Sequence, residues 1–131
     1  MDLSKLQFVN NDRFAKLIGA KIVNAEPGYA VVEMEVSDKH MNGLNMVQGG
    51  AIFALADYAF AVASNNSGNI TVGVNVNISY LKSPKGSCLT AEAKEIHSSR
   101  KIGHYRIEVC DENGDLVATA HVTGYRKQQI S

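Results

Sequence analysis

Along most of the chain apolar positions are interleaved with polar ones, but residues 51–63, AIFALADYAFAVA, carry small and apolar side chains in every direction around a helix axis. A helix apolar all round is a buried helix, so this run predicts a central helix over 51–63. One side chain breaks the run, the carboxylate of Asp57. The helix is preceded by Gln48, Gly49 and Gly50 and stops in SNNSGN, a set of turn and cap residues.

The flanking segments carry other periods. Leu3, Leu6, Phe14, Leu17 and Ile18 stand among polar residues, which predicts one or two short amphipathic helical pieces ending before Gly19. AKIVNAEPGYAVVEMEV reads as two strands about a turn at Pro27 and Gly28, with Val32, Met34 and Val36 alternating with Val31, Glu33 and Glu35. SDKHMNGLNMVQGG is a polar, Gly-containing loop. After the helix, TVGVNVNISYL places Val72, Val74, Val76, Ile78 and Tyr80 on one face and Gly73, Asn75, Asn77 and Ser79 on the other. SCLTAEAKEIHSS, HYRIEVCD and LVATAHVTGYRK follow as strands, the last two joined by the hairpin signal at residues 111–115. A parallel sheet would need crossover helices between these strands, and the sequence offers none. The expected fold class is α+β: an antiparallel sheet wrapped around one long central helix. No repeat, low-complexity tract or linker divides residues 1–131, so a single domain is expected.

Charge narrows the function classes. Thirteen basic residues balance thirteen acidic ones, which gives no electrostatic reason to expect nucleic acid or an anionic membrane as a partner. The longest apolar segment is too short to span a bilayer, and MDLSKLQFVNNDRF lacks a secretion signal; a soluble, cytoplasmic protein is expected. Cys88 and Cys110 read as half-buried free thiols. His40, His97, His104 and His121 show no metal-ligand spacing and read as surface or strand histidines.

Asp57 is the position with chemistry. A carboxylate withdrawn from water costs several kcal/mol or protonates, so it needs a partner, a water or a task. A satisfied structural polar residue is the plain alternative. The glycines at the helix entry change the balance. Helix-start N–H groups point outward with the positive end of the dipole behind them, and glycine removes the side chain that would block an approaching ligand. Such a start holds an oxyanion. Gly50 and Asp57 are seven residues apart, about 10 Å along one helix. A water activated by Asp57 must lie about 3 Å from the carbon under attack. One helix reaches that geometry poorly; two antiparallel copies about a two-fold axis would set Asp57 of one chain near Gly49 and Gly50 of the other. The expectation is a dimer with composite sites.

Asn42, then Gln48, Gly49 and Gly50 six residues on, then Asp57 on the helix resemble the motif of the hotdog-fold thioesterases, in the branch related to the phenylacetic-acid-pathway enzyme. The resemblance extends through NISYLKSPKG and HSSRKIGHYRIEV, from residue 42 to residue 125. It implies hydrolysis of acyl-CoA thioesters with aryl or medium-chain acyl groups. Asp57 would be general base or nucleophile, and Gly49 would donate its N–H to the thioester oxygen. Asn42 would hold the attacking water or orient the site, and Gln48 would polarise or orient. Gly50, Asn75, Arg100 and Lys101 are the substrate-binding candidates, the last two for the phosphates of coenzyme A. It further implies homodimers, often paired into tetramers, and no metal or redox cofactor. Gln48 stands where the family usually carries His; it can donate an amide N–H but cannot titrate. Relatives often carry Ser or Thr on the central strand, where this chain has Gly73, Val74 and Asn75. Two other functions stay open: a non-catalytic acyl-thioester binder, and a hydratase or dehydratase of enoyl or 3-hydroxyacyl thioesters.

Overall fold

The computed structural model describes residues 6–129, with side chains through Lys127. The chain opens with two short helices, α1 (Gln7–Asn10) and α2 (Arg13–Ile18). Asp12 caps α2 by accepting from the Ala15 N–H at 2.9 Å, and Gly19 ends it at φ +83°, a left-handed conformation open to glycine. Leu3, expected on this amphipathic face, lies outside the described residues. Strands β1 (Ala20–Glu26) and β2 (Tyr29–Glu35) form the expected hairpin. A polar loop leads to the long helix α3 (Gly49–Ser64), and β3 (Asn69–Tyr80), β4 (Cys88–Ser98), β5 (Ile102–Cys110) and β6 (Leu116–Gln129) follow.

The six strands form one antiparallel sheet in the order β1-β2-β4-β5-β6-β3, so β1 and β3 are its edges. The sheet curls around α3 as in the hotdog fold. Val32 and Met34 of β2, Leu89 of β4 and Ile107 of β5 are fully buried against Leu55, Ala59 and Val62 of the helix. Each such aliphatic side chain contributes about 1.5–3 kcal/mol on burial, so packing on the sheet, more than helix propensity, holds α3 in place. Alanines are buried on both layers, Ala91 and Ala93 on β4 and Ala56, Ala59 and Ala63 on α3, and such small side chains let the two backbones approach closely. Phe60 and Tyr105 meet edge to face, with ring centroids 5.2 Å apart at 80°.

Three local features depart from the sequence reading. First, SNNSGN is less a solvated turn than a polar knot: Asn65 and Asn66 are only 3% and 4% exposed. Asn65 donates to the carbonyls of Ala61 (2.9 Å) and Thr71 (3.1 Å) and accepts from the Thr71 N–H (2.7 Å). Asn66 donates to Val62 at 2.7 Å and Glu26 at 2.8 Å, so the two carboxamides satisfy carbonyls at the end of α3 and tie it to β1 and β3.

Second, the alternation of β3 breaks at a bulge between Gly73 and Asn75. Val72 pairs with Tyr125, whereas Val76 pairs with the buried Val122. The extra residue reverses the faces, so Val72 points away from the helix and Val76, Ile78 and Tyr80 toward it. Third, the 111–115 turn serves as an anchor as well as a hairpin. Asp111 accepts from the N–H groups of Lys85 (3.0 Å), Asn113 (3.0 Å) and Asp115 (3.1 Å), and these donors, Lys85 foremost, hold its carboxyl below the usual carboxylate range. Cys88 and Cys110 are free and half-buried, as expected.

Candidate active site

The entry to α3 is built by residues 40–48. The His40 carbonyl accepts from the Gln48 N–H at 2.9 Å, Met41 bridges Val47, and the Asn42 N–H donates to the Met46 carbonyl at 2.8 Å. The side chain of Asn42 closes the tip of this small hairpin, its Oδ1 accepting from the N–H groups of Leu44 (2.8 Å) and Met46 (3.1 Å). Gln48 is the N-cap residue of α3. The first-turn amides of Gly49 and Gly50 therefore have no intrahelical acceptor. Both glycines are closely approached by side chains. A Cβ on Gly49 would lie 3.3 Å from the ring of Tyr80, and one on Gly50 would lie 3.1 Å from Oε1 of Gln48. The carboxamide of Gln48 thus lies over the first turn of the helix.

Two clefts run along the side of α3 that the sheet leaves open. One, of about 340 Å³, is lined by Asp12, Phe14, Gly50, Phe53, Asp57 and Tyr58. The other, of about 470 Å³, is lined by Phe14, Leu17, Ile18, His40, Met41 and Gln48, and the two adjoin at Phe14, Gly50 and Ala54. The expectation that Asp57 is buried does not hold within the single chain: its side chain stands on the open stripe of α3 formed with Gly50, Ala54 and Ala61. An all-apolar helix misled because one stripe of small side chains faces away from the sheet and is only partly covered by α2. Solvent reaches Asp57, yet protein atoms crowd the cleft. That desolvation first, and the negative charge of Asp12 second, raise its pKa above the usual carboxylate value.

Residues 44–118 match the family model of the thioesterase superfamily. The chain belongs to that superfamily. It is 38% identical over 109 residues to the Escherichia coli acyl-coenzyme A thioesterase PaaI, covering 82% of this chain and 78% of that one. The structure of E. coli PaaI superposes with a TM-score of 0.92 at 32% identity, covering 98% of this chain and 94% of its own. The Streptococcus mutans protein smu.793, solved bound to acetyl-CoA, superposes with a TM-score of 0.81 at 28% identity over 86% of this chain and 92% of its own.

The stretch shared with the thioesterase superfamily contains Gln48, Gly49, Gly50, Asp57, Asn75, Arg100 and Lys101 and begins two residues after Asn42. The single chain gathers only some of these. Gly50 and Asp57 line one cleft, and Gln48 and Gly50 line its neighbour. Asn75 is exposed on the edge strand β3, opposite Thr123 and away from the helix. Arg100 and Lys101 are exposed in the β4–β5 turn, where the Lys101 ammonium lies 5.9 Å from the centroid of the Tyr125 ring. Neither cleft includes Asn42, Gly49, Asn75, Arg100 or Lys101; Gly49 faces the Tyr80 ring instead.

The sequence reading missed three participants. Asp12 brings a second carboxylate to the Asp57 cleft; its place before the helical residues 13–18 marks it as a cap but gives no hint of a long-range neighbour. Tyr80 reaches the helix entry only because the β3 bulge turns it inward. His40 is neither a surface nor a strand histidine: it is 3% exposed, in a 3₁₀ turn at Asp38–His40. The remaining histidines are neighbours on the sheet, His97 to His104 at 6.3 Å and His104 to His121 at 5.4 Å between ring centroids. Among the described residues no group of three or more His, Cys, Asp or Glu could hold a metal ion. None of the described helices is long and apolar enough to cross a membrane.

Proposed function

We propose that the chain hydrolyses acyl-CoA thioesters carrying aryl or medium-chain acyl groups, with Asp57 as general base and the Gly49 amide as oxyanion donor. The observation that carries this reading is that a carboxylate with a raised pKa and Gly50, at the helix entry, line one cleft of a thioesterase-superfamily chain. Water attacks the thioester carbon as its proton passes to Asp57. The carbonyl oxygen takes up negative charge and is held by the Gly49 N–H, with the Gln48 carboxamide as a second donor. The tetrahedral intermediate then collapses, expelling the thiolate of coenzyme A. A donor aimed at the developing oxyanion typically contributes about 3 kcal/mol. Asn42 shapes the loop that delivers Gln48 to the helix. Arg100 and Lys101 are the cations for the coenzyme phosphates, and Asn75 is the polar group on edge strand β3.

The working unit of this proposal is a homodimer, itself able to pair into a tetramer. Edge strand β3 exposes Val72, Val74 and Val76, and such an apolar edge invites another strand. Antiparallel pairing of two β3 strands would bring the open stripes of two α3 helices together and set Asp57 of one chain near Gly49 of the other. It would also bring the partner's β4–β5 turn to the same end of the joined sheet as this chain's helix entry.

Asp57→Asn is expected to leave a folded protein with kcat for thiol release at least ~100-fold lower, the loss of a general base. Near-normal turnover in that variant would sink the mechanism. Gln48, which cannot titrate, favours one other reading, a non-catalytic acyl-CoA binder; that protein would bind acyl-CoA saturably and release no thiol. A hydratase or dehydratase would instead add or remove water on an enoyl thioester with the thioester intact.

A further inference from the structure

His40 lies at the joint between the helix entry and the cleft wall, and both of its ring nitrogens are committed to backbone. Nδ1 accepts from the Ser37 N–H at 3.0 Å, which leaves the ring proton on Nε2, and Nε2 donates to the Ile18 carbonyl at 2.7 Å. These two bonds hold the imidazole in one tautomer and one orientation. Its main chain matters as much: the His40 carbonyl accepts from the Gln48 N–H, at the base of the hairpin that delivers Gln48 to α3. A single buried residue, through its ring on one side and its carbonyl on the other, thus links the end of α2, which supplies Phe14, Leu17 and Ile18 to the clefts, to the residue that begins α3.

We propose that His40 is a positioning residue for the hydrolysis described above, an inference that rests on that reading. Both ring nitrogens are taken by backbone, so neither is left to bond a substrate. His40 acts through the Ile18 carbonyl and the Gln48 N–H to set where the Gly49 amide points. An oxyanion donor works only when aimed at the place where charge develops, so a shift of the helix entry weakens the transition state more than the bound substrate. Ser37 cannot supply this alone, because the bond between Ser37 and His40 lies within one turn of chain, whereas the bond to Ile18 spans to another element.

The test uses three variants of the full chain. His40→Asn keeps an acceptor for the Ser37 N–H but is too short to reach Ile18; His40→Gln reaches Ile18 with an N–H donor; His40→Ala does neither. With folding checked by near-ultraviolet dichroism, His40→Asn and His40→Ala are expected to lose at least ~10-fold in kcat for thiol release. KM should stay within about threefold, and His40→Gln should recover most of the lost kcat. A purely structural role would lower the melting temperature and leave the kcat of folded molecules within about twofold; that result, or a rise in KM alone, overturns the proposal. If wild type releases thiol while these variants match it, only the role of His40 falls. If wild type releases none, the hydrolase reading falls and the role of His40 with it.

Discussion

Asp12 and Asp57 line the same cleft, and the negative charge of Asp12 adds to desolvation in raising the pKa of Asp57. A general base must be ionised, so the acid limb of kcat/KM should lie above the ordinary carboxylate range. Asp12→Asn removes the charge but keeps a side-chain oxygen to cap α2. The acid limb is expected to move to lower pH, modestly, since desolvation is the larger cause. A limb that stays put in a pH–rate profile would show that Asp57 does not feel Asp12.

The same raised pKa has a consequence for stability. A carboxyl whose pKa is higher folded than unfolded binds its proton more tightly in the native state. Its favourable contribution is then present below the unfolded value, near the ordinary 3.8, and lost as pH rises through the folded one. Asp57→Asn is therefore expected to raise the melting temperature at neutral pH, with the two curves converging in acid. A variant less stable than wild type at neutral pH would mean that the ionised carboxylate has a stabilising partner.

Edge strand β3 yields a prediction about assembly. Val74, 59% exposed, sits at the bulge, and Val72 lies on the sheet face away from the helix. Lysines at exposed edge positions block strand addition. Val72→Lys with Val74→Lys is expected to give a folded monomer by sedimentation velocity and to abolish thiol release, because each site would lose its partner. A fully active monomer would rule out composite sites.

Packing gives a fourth expectation. A Cβ on Gly124 would lie 2.8 Å from Cγ2 of Thr71 and 3.0 Å from the Phe60 ring. Gly124→Ala overpacks this contact and should cost about 1–3 kcal/mol in urea unfolding. Adding Thr71→Ser and Phe60→Leu, which shrink both neighbours, should recover part of the loss; no recovery would show that these two contacts are not its cause.

Periodicity was enough to read the architecture. The alternation in β2, the apolar run of α3 and the lack of crossover segments lead directly to an antiparallel sheet on one helix. What periodicity misses is one-residue irregularity and long-range pairing. A single bulge at residues 73–75 turned Tyr80 toward Gly49, and no local pattern announces a bulge. Asn65 and Asn66 read as turn formers because their partners, Thr71 and Glu26, become neighbours only after folding. Asp57 was legible as an anomaly, and Gly50 as its companion, since both depend on local helix geometry. Asp12 was not, because a capping aspartate carries the same local signal whether or not a second carboxylate lies across a cleft.

The two ends of α3 are held by different means. At its far end, Asn65 and Asn66 lash the helix to β1 and β3 through side chains closed off from solvent. At its near end, the grip comes from a nine-residue hairpin whose tip, Leu44, is exposed. Laboratory evolution of new acyl preferences should therefore concentrate its diversity in residues 41–47 and leave the asparagine anchor untouched. Changes in the first would re-aim the helix by small increments, while changes in the second would set the whole rod adrift.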